Sequence, residues 1–311
     1  MQTPLNTPWG PATTADDVAG TIDLTGKTAI ITGGASGLGL ETVRVLAARG
    51  ARVIVPARDV VAAREALGDL ADVRAMDLMD PPSIRAFADQ LRAEGIRLDL
   101  LILSAGVMAT PLFRDADGHE GQLATNHLGH FRLTSALWPV INPGARVVIL
   151  SSRGHQIPGF DLTDLDFTRR PYDKWLAYGQ AKTANALFAV ALDRRGAPDV
   201  RAYAVHPGSV LGPLARHLSE EELAPFDAVN PDGSPRIDPA RDMKSPQQGA
   251  ATTVWCATAP ELAGIGGVYC EDCDIASVET ERRAGVRPFA IDPETAEALW
   301  KASVERTGCD I

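Results

Sequence analysis

The chain has 311 residues, of which 45% are hydrophobic and 23% charged. This composition is typical of a globular protein and excludes a disordered chain, a collagen and a coiled coil. Its 40 acidic residues outnumber its 30 basic residues, and the formal net charge of −10 disfavours nucleic acid or an anionic membrane as the main partner.

Residues 1–24 are rich in Pro, Thr and Asp and are predicted to form an irregular extension. They contain neither the basic nor the apolar segment of a signal peptide. No apolar run in the chain approaches the roughly 20 residues of a membrane span. We therefore expect a soluble, cytoplasmic protein.

The four cysteines are few and lie late in the chain, which disfavours a disulfide scaffold. Cys270 and Cys273 form one C-x-x-C pair, but such a pair is only half of a structural zinc site. Two packed thiols in a reducing compartment are favoured over a metal site, and no metal is predicted.

From residue 27 onward, apolar segments of strand length alternate with segments of helical periodicity. The predicted strands cover 27–32, 51–57, 73–78, 98–106 and 146–152, and the predicted helices cover 38–49, 60–68, 82–95 and 119–141. Continuous Val/Ile/Leu-rich strands separated by helices are typical of a doubly wound parallel sheet with helices on both faces. We predict a single α/β domain over 25–311.

Two polar segments, 155–177 and 211–248, interrupt this alternation. The second is long and contains six prolines, Pro213, Pro225, Pro231, Pro235, Pro239 and Pro246. A loop of this length inside a compact domain is usually functional, so 211–248 is predicted to be a lid over the substrate. The alternative is a variable surface excursion.

A glycine-rich turn follows the first predicted strand. Thr32 ends that strand, and residues 33–39, with the sequence GGASGLG, lead directly into a helix. Glycines at such a turn let the backbone approach a pyrophosphate, which binds at the positive end of the helix. The pattern predicts a dinucleotide site in a Rossmann-type domain.

Further motifs follow in a specific order. Asn126 lies in NHLGHF, Ser152 ends RVVILSS, and Tyr178 and Lys182 belong to YGQAK. Together with the glycine spacing, these motifs resemble the short-chain dehydrogenase/reductase family, closest to its retinol-dehydrogenase-like and WW-domain-oxidoreductase-like branch. The resemblance covers roughly residues 25–273 and implies a catalytic tetrad of Asn126, Ser152, Tyr178 and Lys182.

The same resemblance implies a set of cofactor contacts. They are Gly33, Ser36, Gly37, Leu38, Gly39, Arg58, Asp77, Leu78, Ser104, Ala105, Gly106, Tyr178, Lys182, Pro207, Gly208 and Val210. Ser104 stands where the family usually has Asn, which puts a strand-bracing contact in doubt. Gly212 stands near the position of the family's usual Thr, so the nicotinamide carboxamide is expected to bind backbone groups such as that of Val210.

The end of the second strand discriminates between the two nicotinamide cofactors. An acidic residue there binds the ribose 2′-hydroxyl of NAD, whereas an Arg accommodates the 2′-phosphate of NADP. Ala57 occupies the acidic position and Arg58 follows it, so NADP(H) is favoured. The alternative is NAD(H), with Asp59 turned towards the ribose.

The predicted chemistry is hydride transfer to or from a carbonyl carbon, with Tyr178 as the general acid or base. Lys182 lies four residues later on the same helix face, where its charge and that of an oxidised nicotinamide would lower the pKa of Tyr178. Ser152 would orient the substrate oxygen. The resemblance implies that Asn126 lies in a kinked helix, whose freed carbonyl holds a water linked to Lys182.

The predicted function is that of an NADP-dependent oxidoreductase acting on a medium-sized, mainly apolar ketone, aldehyde or alcohol. Aromatic residues of the first polar segment and apolar residues of the lid would line the pocket: Phe160, Tyr172, Trp175, Leu211, Leu214, Leu218, Leu223 and Phe226. His155 is a further candidate for substrate contact.

The sequence leaves two alternative functions and the oligomeric state open. A non-catalytic NADP-binding sensor would be expected to lose the Tyr–Lys pair, and a sugar-nucleotide epimerase or dehydratase would have a different glycine spacing. The partner is expected to be a small molecule. A homo-oligomer, dimer or tetramer, would use the helices around 124–140 and 178–194.

Overall fold

The computed structural model describes residues 2–311, and an eight-stranded sheet forms its centre. The strands are β1 Thr28–Thr32, β2 Arg52–Ala57, β3 Asp72–Ala75, β4 Leu98–Leu103, β5 Ile141–Leu150, β6 Arg201–Val205, β7 Val268–Glu271 and β8 Asp274–Ile275. Their spatial order is β3-β2-β1-β4-β5-β6-β7-β8, and only β8 is antiparallel to its neighbour. The predicted doubly wound α/β sheet is confirmed, with an antiparallel strand added at one edge.

Helices cover both faces of the sheet. They are α1 Ala15–Ala19, α2 Gly37–Ala48, α3 Val60–Leu67, α4 Pro81–Ala93, α5 Gly121–Leu123, α6 Gly129–Leu137, α7 Lys174–Gly196, α8 Glu220–Leu223, α9 Pro246–Gly249, α10 Ala251–Thr258 and α11 Pro293–Thr307. In β1, Ile30 belongs to one apolar core, whereas Ala29 and Ile31 belong to the other. Successive side chains of a strand point to opposite faces, so a strand covered on both faces is apolar throughout.

The helix predicted over 119–141 is interrupted in the structure. After α5, the chain forms a π-helical turn over Ala124–Leu128, and α6 continues from there. Asn126 lies inside this turn and is fully buried. π-helical turns are rare in proteins, and those that occur often lie at functional sites. This turn therefore marks the region around Asn126 as a candidate functional site.

The N-terminal extension is attached to the sheet edge. The Gln2 side chain accepts a hydrogen bond from the backbone N–H of Tyr269 and donates to the carbonyls of Tyr269 and Ala276. Thr14 forms a capping box at the start of α1, whose Ala15 and Ala19 are buried. The prediction of an irregular extension is therefore wrong for Ala15–Ala19, because a capped helix with a small apolar face packs there on α10.

The C-terminal helix α11 packs along α7. The rings of Trp300 and Phe188 lie 5.9 Å apart between centroids, and His127 Nε2 lies 2.8 Å from Ser303 Oγ. The sequence predicts a homo-oligomer interface on the helices around 124–140 and 178–194, and α11 contacts both of them. Part of that apolar surface is thus already buried within the chain.

The segment 211–248 is largely irregular, with the short helix α8 inside it and α9 at its end, and its later part returns to the residues that precede it. The N–H of Ser209 donates to the carbonyl of Asp242 at 2.7 Å, which joins the start and the end of the loop. Within the loop, Glu222 forms an ion pair with Lys174 at the start of α7. The segment predicted to be a lid is therefore anchored at its base and contacts the helix that carries Tyr178.

The cysteines are free thiols, and Cys256, Cys270 and Cys273 are buried. Burial raises the pKa of the Cys273 thiol to about 12, and a thiol held in this protonated form is a poor nucleophile. Across residues 2–311, no helix combines the length and the apolar character needed to cross a lipid bilayer.

Candidate active site

A cleft of about 1540 Å³ is lined by the segments that follow the carboxyl ends of the parallel strands. A pocket for one small molecule typically encloses about 300–1,000 Å³, so this cleft has room for a dinucleotide and a second molecule. Every residue predicted to contact the cofactor lines the cleft. The site lies where the strand order reverses beside β1, which is where doubly wound sheets bind ligands.

The glycine turn needs its glycines for steric reasons. Gly33 has φ of +67°, and a Cβ there would lie 2.9 Å from Cα of Ala105. A Cβ on Gly39 would overlap the carbonyl oxygen of Gly33. The turn runs into α2, so its backbone N–H groups and the positive end of the helix dipole face the cleft. This arrangement fits a pyrophosphate.

Thr32 connects the glycine turn to the neighbouring strand β4. Its Oγ1 accepts hydrogen bonds from the backbone N–H groups of Ser104 at 2.9 Å and Ala105 at 3.0 Å. The doubt raised by Ser104 in place of Asn is thereby resolved for this contact. Backbone groups supply the brace, so it does not depend on the side chain at position 104.

The part of the cleft beside β2 contains an arginine and an aspartate that differ in their contacts. Arg58 lines the cleft directly after β2, next to Ala57. Asp59 instead caps α3, accepting a hydrogen bond from the N–H of Ala62 at 2.9 Å. Asp77 also lines the cleft, and one of its carboxylate oxygens accepts from the N–H of Met79. Arg58 is therefore the charged side chain at the end of β2 that faces the cleft.

Ser152 and Tyr178 meet on the cleft wall. Ser152 Oγ accepts a hydrogen bond from the N–H of Gly154 at 3.0 Å, which leaves the hydroxyl proton for another acceptor. A Cβ built on Gly154 would lie 3.5 Å from Ser152 Oγ and in contact with the Tyr178 ring, so the two side chains are neighbours. A Cβ on Gly154 would lie 2.7 Å from Cε1 of Tyr178, so glycine at this position lets the phenol ring approach Ser152.

Burial dominates the ionisation of Tyr178 and Lys182. It raises the pKa of Tyr178 to about 12, although the hydrogen bond with Ser152 acts in the opposite direction. It lowers the pKa of Lys182 to about 8. Lys182 Nζ lies 5.7 Å from the centre of the Tyr178 ring and donates to the carbonyl of Leu150 at 2.9 Å. Burial thus favours the protonated phenol in this structure, and the lowering of the Tyr178 pKa by Lys182 together with an oxidised nicotinamide stays a prediction.

Asn126 supports the site from behind the cleft wall. Its Oδ1 accepts from the N–H of Val107 at 2.8 Å, and its Nδ2 donates to the carbonyl of the same residue at 2.9 Å. A Cβ on Gly106 would lie 2.9 Å from Asn126 Oδ1 and 3.9 Å from Lys182 Nζ, so these two side chains are neighbours. Asn126 itself does not line the cleft; it holds the loop that does.

Residues 27–223 match the protein family described as short chain dehydrogenase. The chain belongs to this family. It is 42% identical over 294 residues to "Probable oxidoreductase" of Streptomyces antibioticus, covering 90% of this chain and 97% of that protein. It is 39% identical over 303 residues to retinol dehydrogenase 12 of Homo sapiens, covering 92% and 88%.

A solved structure of similar architecture agrees with these relationships. An uncharacterised protein from Mycobacterium paratuberculosis is 33% identical, with a TM-score of 0.74 over 94% of this chain and 97% of that one. The protein is thus an oxidoreductase of the short-chain dehydrogenase family, with retinol-dehydrogenase-like relatives. This family binds NAD or NADP, in agreement with the glycine turn that fits a pyrophosphate.

The turn predicted to contact the nicotinamide is held by a charged network. Arg153 donates its backbone N–H to His206 Nδ1 at 3.1 Å, and His206 Nε2 lies 2.9 Å from Asp242. Burial alone would raise the pKa of Asp242, but the His206 hydrogen bond and the nearby Arg153 charge lower it to about 2. The carboxylate is therefore ionised and connects the base of the lid to the residues flanking Ser152 and Pro207.

The structure divides the predicted substrate residues into two groups. Trp175, Leu211 and Leu214 line the cleft, as do Leu218, Leu223 and Phe226 of the segment 211–248. Phe160 instead packs against an apolar core, and the Tyr172 hydroxyl donates to the carbonyl of Thr110. The expectation that these two aromatic residues line the pocket is therefore corrected, because both face into the protein.

His155 is also corrected as a substrate contact. Its ring is fully buried, its Nδ1 lies 2.7 Å from the carbonyl oxygen of Ser152, and its Nε2 accepts from the N–H of Arg287 at 3.1 Å. Burial lowers the pKa of His155 to about 3, so the ring is neutral. With both nitrogens engaged, His155 braces the backbone of Ser152 and does not reach the cleft.

Several residues of the site were missed in the sequence. Met108, Phe113 and Ile157 add apolar surface to the cleft, and Asp242 anchors the lid. Loops determine which of these side chains face the cleft, and no local periodicity reports it. His130, which contacts Asn126, was also missed, although the sequence contained a signal for it. In NHLGHF it is four residues from Asn126, a spacing that places two side chains on one helix face.

Proposed function

We propose that the protein is an NADP(H)-dependent carbonyl reductase or alcohol dehydrogenase. The observation that carries this proposal is the convergence of Ser152, Tyr178 and Lys182 on the cleft that also contains the glycine turn. NADPH would supply the hydride. Ser152, whose proton is free to be donated, would orient the substrate oxygen, and the protonated Tyr178 phenol would transfer its proton to that oxygen as negative charge develops.

The residues at the end of β2 support the proposed preference for NADP(H). Arg58 faces the cleft, and position 57 offers no carboxylate to bind a ribose 2′-hydroxyl. Asp59, the residue invoked for NAD(H), is engaged as the N-cap of α3. A guanidinium beside the ribose suits a 2′-phosphate, because it offers several donors and a permanent positive charge.

The substrate is proposed to be a medium-sized, mainly apolar ketone or aldehyde, or the corresponding alcohol. The wall facing Tyr178 includes Trp175, and the rings of Trp175 and Phe226 are 6.2 Å apart, which connects α7 to the lid. Leucines of the lid complete an apolar surface around this pair. Such a surface favours a hydrocarbon-rich substrate whose carbonyl is its main polar group.

The decisive experiment offers purified protein a panel of ketones and aldehydes with NADPH or NADH and follows cofactor absorbance. We expect turnover with NADPH, a higher kcat/KM than with NADH, and a decrease in kcat of about 10²–10⁴-fold in Tyr178→Phe. Binding of NADPH to that variant, followed by fluorescence, should remain within about twofold of wild type, because the substitution removes only a hydroxyl.

Two outcomes would contradict the proposal. Stoichiometric NADPH binding with neither reduction of any carbonyl nor oxidation of any alcohol by NADP would favour a non-catalytic sensor. A large preference for NADH would contradict the assignment of Arg58 to the 2′-phosphate.

A further inference from the structure

His130 lies between two parts of the site that the sequence presents separately. It is fully buried in α6, four residues after Asn126. Its Nδ1 lies 2.9 Å from the carbonyl oxygen of Asn126, and its Nε2 lies 2.9 Å from Oγ1 of Thr32. Thr32 Oγ1 is also the group that accepts from the loop after β4. The imidazole therefore joins the helix of Asn126 to the brace of the glycine turn.

The geometry determines which nitrogen of His130 carries the proton. A carbonyl oxygen can only accept, so Nδ1 donates to Asn126, and the neutral ring then accepts at Nε2 from the hydroxyl of Thr32. Burial lowers the pKa of His130 to about 4, and the charge of Lys182 acts in the same direction. The ring is neutral at pH 7, and both nitrogens are used.

The Asn126 carbonyl belongs to the π-helical turn. In this turn the N–H of Gly129 donates to the carbonyl of Ala124, five residues earlier, instead of to a carbonyl four residues earlier. The Asn126 carbonyl accepts from the side chain at position 130, and a carbonyl oxygen has a second lone pair for another donor. His130 thus fixes the direction of this oxygen.

We propose that His130 is a positioning residue for the reaction: its Nδ1–H holds the carbonyl of Asn126, whose side chain neighbours Lys182, and its Nε2 holds Thr32 at the start of the glycine turn. This inference rests on the oxidoreductase function proposed above. It separates two effects within one ring, because one nitrogen acts on the catalytic helix and the other acts on the glycine turn.

His127 provides an internal comparison for this role. It lies in the same turn, is equally buried, and burial lowers its pKa to about 3. Its Nε2 contacts Ser303 Oγ of α11 at 2.8 Å, on the side away from the cleft. Substitutions at His127 therefore report what the loss of a buried, neutral imidazole does to this helix without touching Asn126 or Thr32.

The test replaces the imidazole ring by the side-chain amide of Asn or of Gln, each of which can take the place of one ring nitrogen. The Asn amide lies at about the distance of Nδ1 from the backbone, and the Gln amide at about the distance of Nε2. Four full-length variants, His130→Asn, His130→Gln, His127→Asn and His127→Gln, are compared with wild type. The readouts are the Kd of NADPH, kcat at saturating substrate and NADPH, and the melting temperature.

We expect His130→Asn to keep kcat within about threefold and to raise the Kd of NADPH about tenfold, because only the Thr32 contact is lost. We expect His130→Gln to keep the Kd within about twofold and to lower kcat at least tenfold, because the Asn126 carbonyl is released. Both His127 variants should lower the melting temperature while keeping kcat and Kd within about twofold.

The inference is overturned if both His130 variants lose kcat and NADPH affinity to the same extent. It is also overturned if the His127 variants lose kcat and NADPH affinity as much as the His130 variants do. It is also overturned if His130→Asn and His130→Gln match wild type in both quantities. Absence of turnover in the wild-type protein itself would instead refute the proposed function, and the proposed role of His130 with it. A wild-type enzyme that turns over while the two nitrogens show no separate effects would refute the His130 role alone.

Discussion

Lys182 combines a requirement of the site with a cost in stability. Its side chain is almost fully buried, and within the 2–311 region no carboxylate lies within ion-pairing distance of Nζ. Desolvation of an unpaired ammonium is unfavourable, which is why the pKa of Lys182 falls to about 8. A residue kept against its own solvation preference is one that function requires and stability does not.

We predict that Lys182→Met abolishes turnover but stabilises the fold at pH 6–7, by about 1–3 kcal/mol. No carbonyl is left unsatisfied, because Leu150 still accepts from Asn185 Nδ2 at 2.9 Å. Wild-type Lys182 loses its proton near pH 8 when folded but near 10.4 when unfolded, so the stability of wild type rises between these values. The advantage of the variant should therefore shrink above pH 8.

Chemical denaturation at several pH values measures this difference. Lys301→Met is the matched control, because Lys301 is exposed on α11 and should change stability by less than about 0.5 kcal/mol at every pH. A variant at Lys182 that is less stable than wild type at pH 6–7 would show that the ammonium is better solvated than its burial indicates.

The sequence predicted the residues whose chemistry depends on short spacing, and it missed those defined by distant partners. Tyr178 and Lys182 are four residues apart on one helix, and the glycine turn is contiguous, so both were visible in the sequence. His155 was interpreted as a loop histidine near substrate. Its Nε2 partner, Arg287, is 132 residues away in the chain, and a local pattern carries no information on such a contact.

At the scale of elements, the parallel strands from β1 to β5 and the helices between them follow from apolar periodicity, whereas no strand was predicted from the sequence at β6. The edge strand β8 is two residues long, too short for any period to show. The N-terminal extension looked irregular because its attachment uses single polar side chains. Gln2 makes hydrogen bonds to β7 and to Ala276 just beyond β8, and a lone Gln near a terminus has no sequence signature.

We predict that Gln2→Ala lowers the free energy of unfolding by about 1–3 kcal/mol, because the Tyr269 N–H loses its Gln2 partner. The carbonyl of Tyr269 keeps the N–H of Ala276 as a donor, so the loss is confined mainly to one group. Urea denaturation measures the change, with Gln247→Ala on the exposed surface of α9 as the control. Equal stabilities of the two variants would show that the extension does not secure this edge.

For the whole molecule, the net charge and the local charge of the site have opposite signs. The chain carries −10 overall, yet its cleft is lined by Arg58, Arg153, Arg216 and Arg283, among other basic residues. Helix dipoles and backbone N–H groups at the glycine turn add to this local potential. The net charge of the chain argues against polyanions as partners, but the basic residues of the cleft suit a small anionic ligand.

The whole-molecule feature that the sequence hid is the cover of α7 by α11. Trp300 is 4% exposed, with its ring 4.8 Å from that of Phe131 and 5.9 Å from that of Phe188. Without this ring, the apolar face of α7 would be open to solvent. An exposed apolar face of this kind favours association between copies of the chain, and the sequence predicts an oligomer interface there.

We therefore predict that Trp300→Ala lowers the free energy of unfolding by about 3–5 kcal/mol and promotes self-association. Urea denaturation measures the first effect, and light scattering over a range of protein concentrations measures the second. Lys301→Ala, one residue along the same helix but exposed, should match wild type in both. If Trp300→Ala kept wild-type stability and mass, α11 would not be the cover of α7, and the oligomer interface first inferred on that helix would again be available.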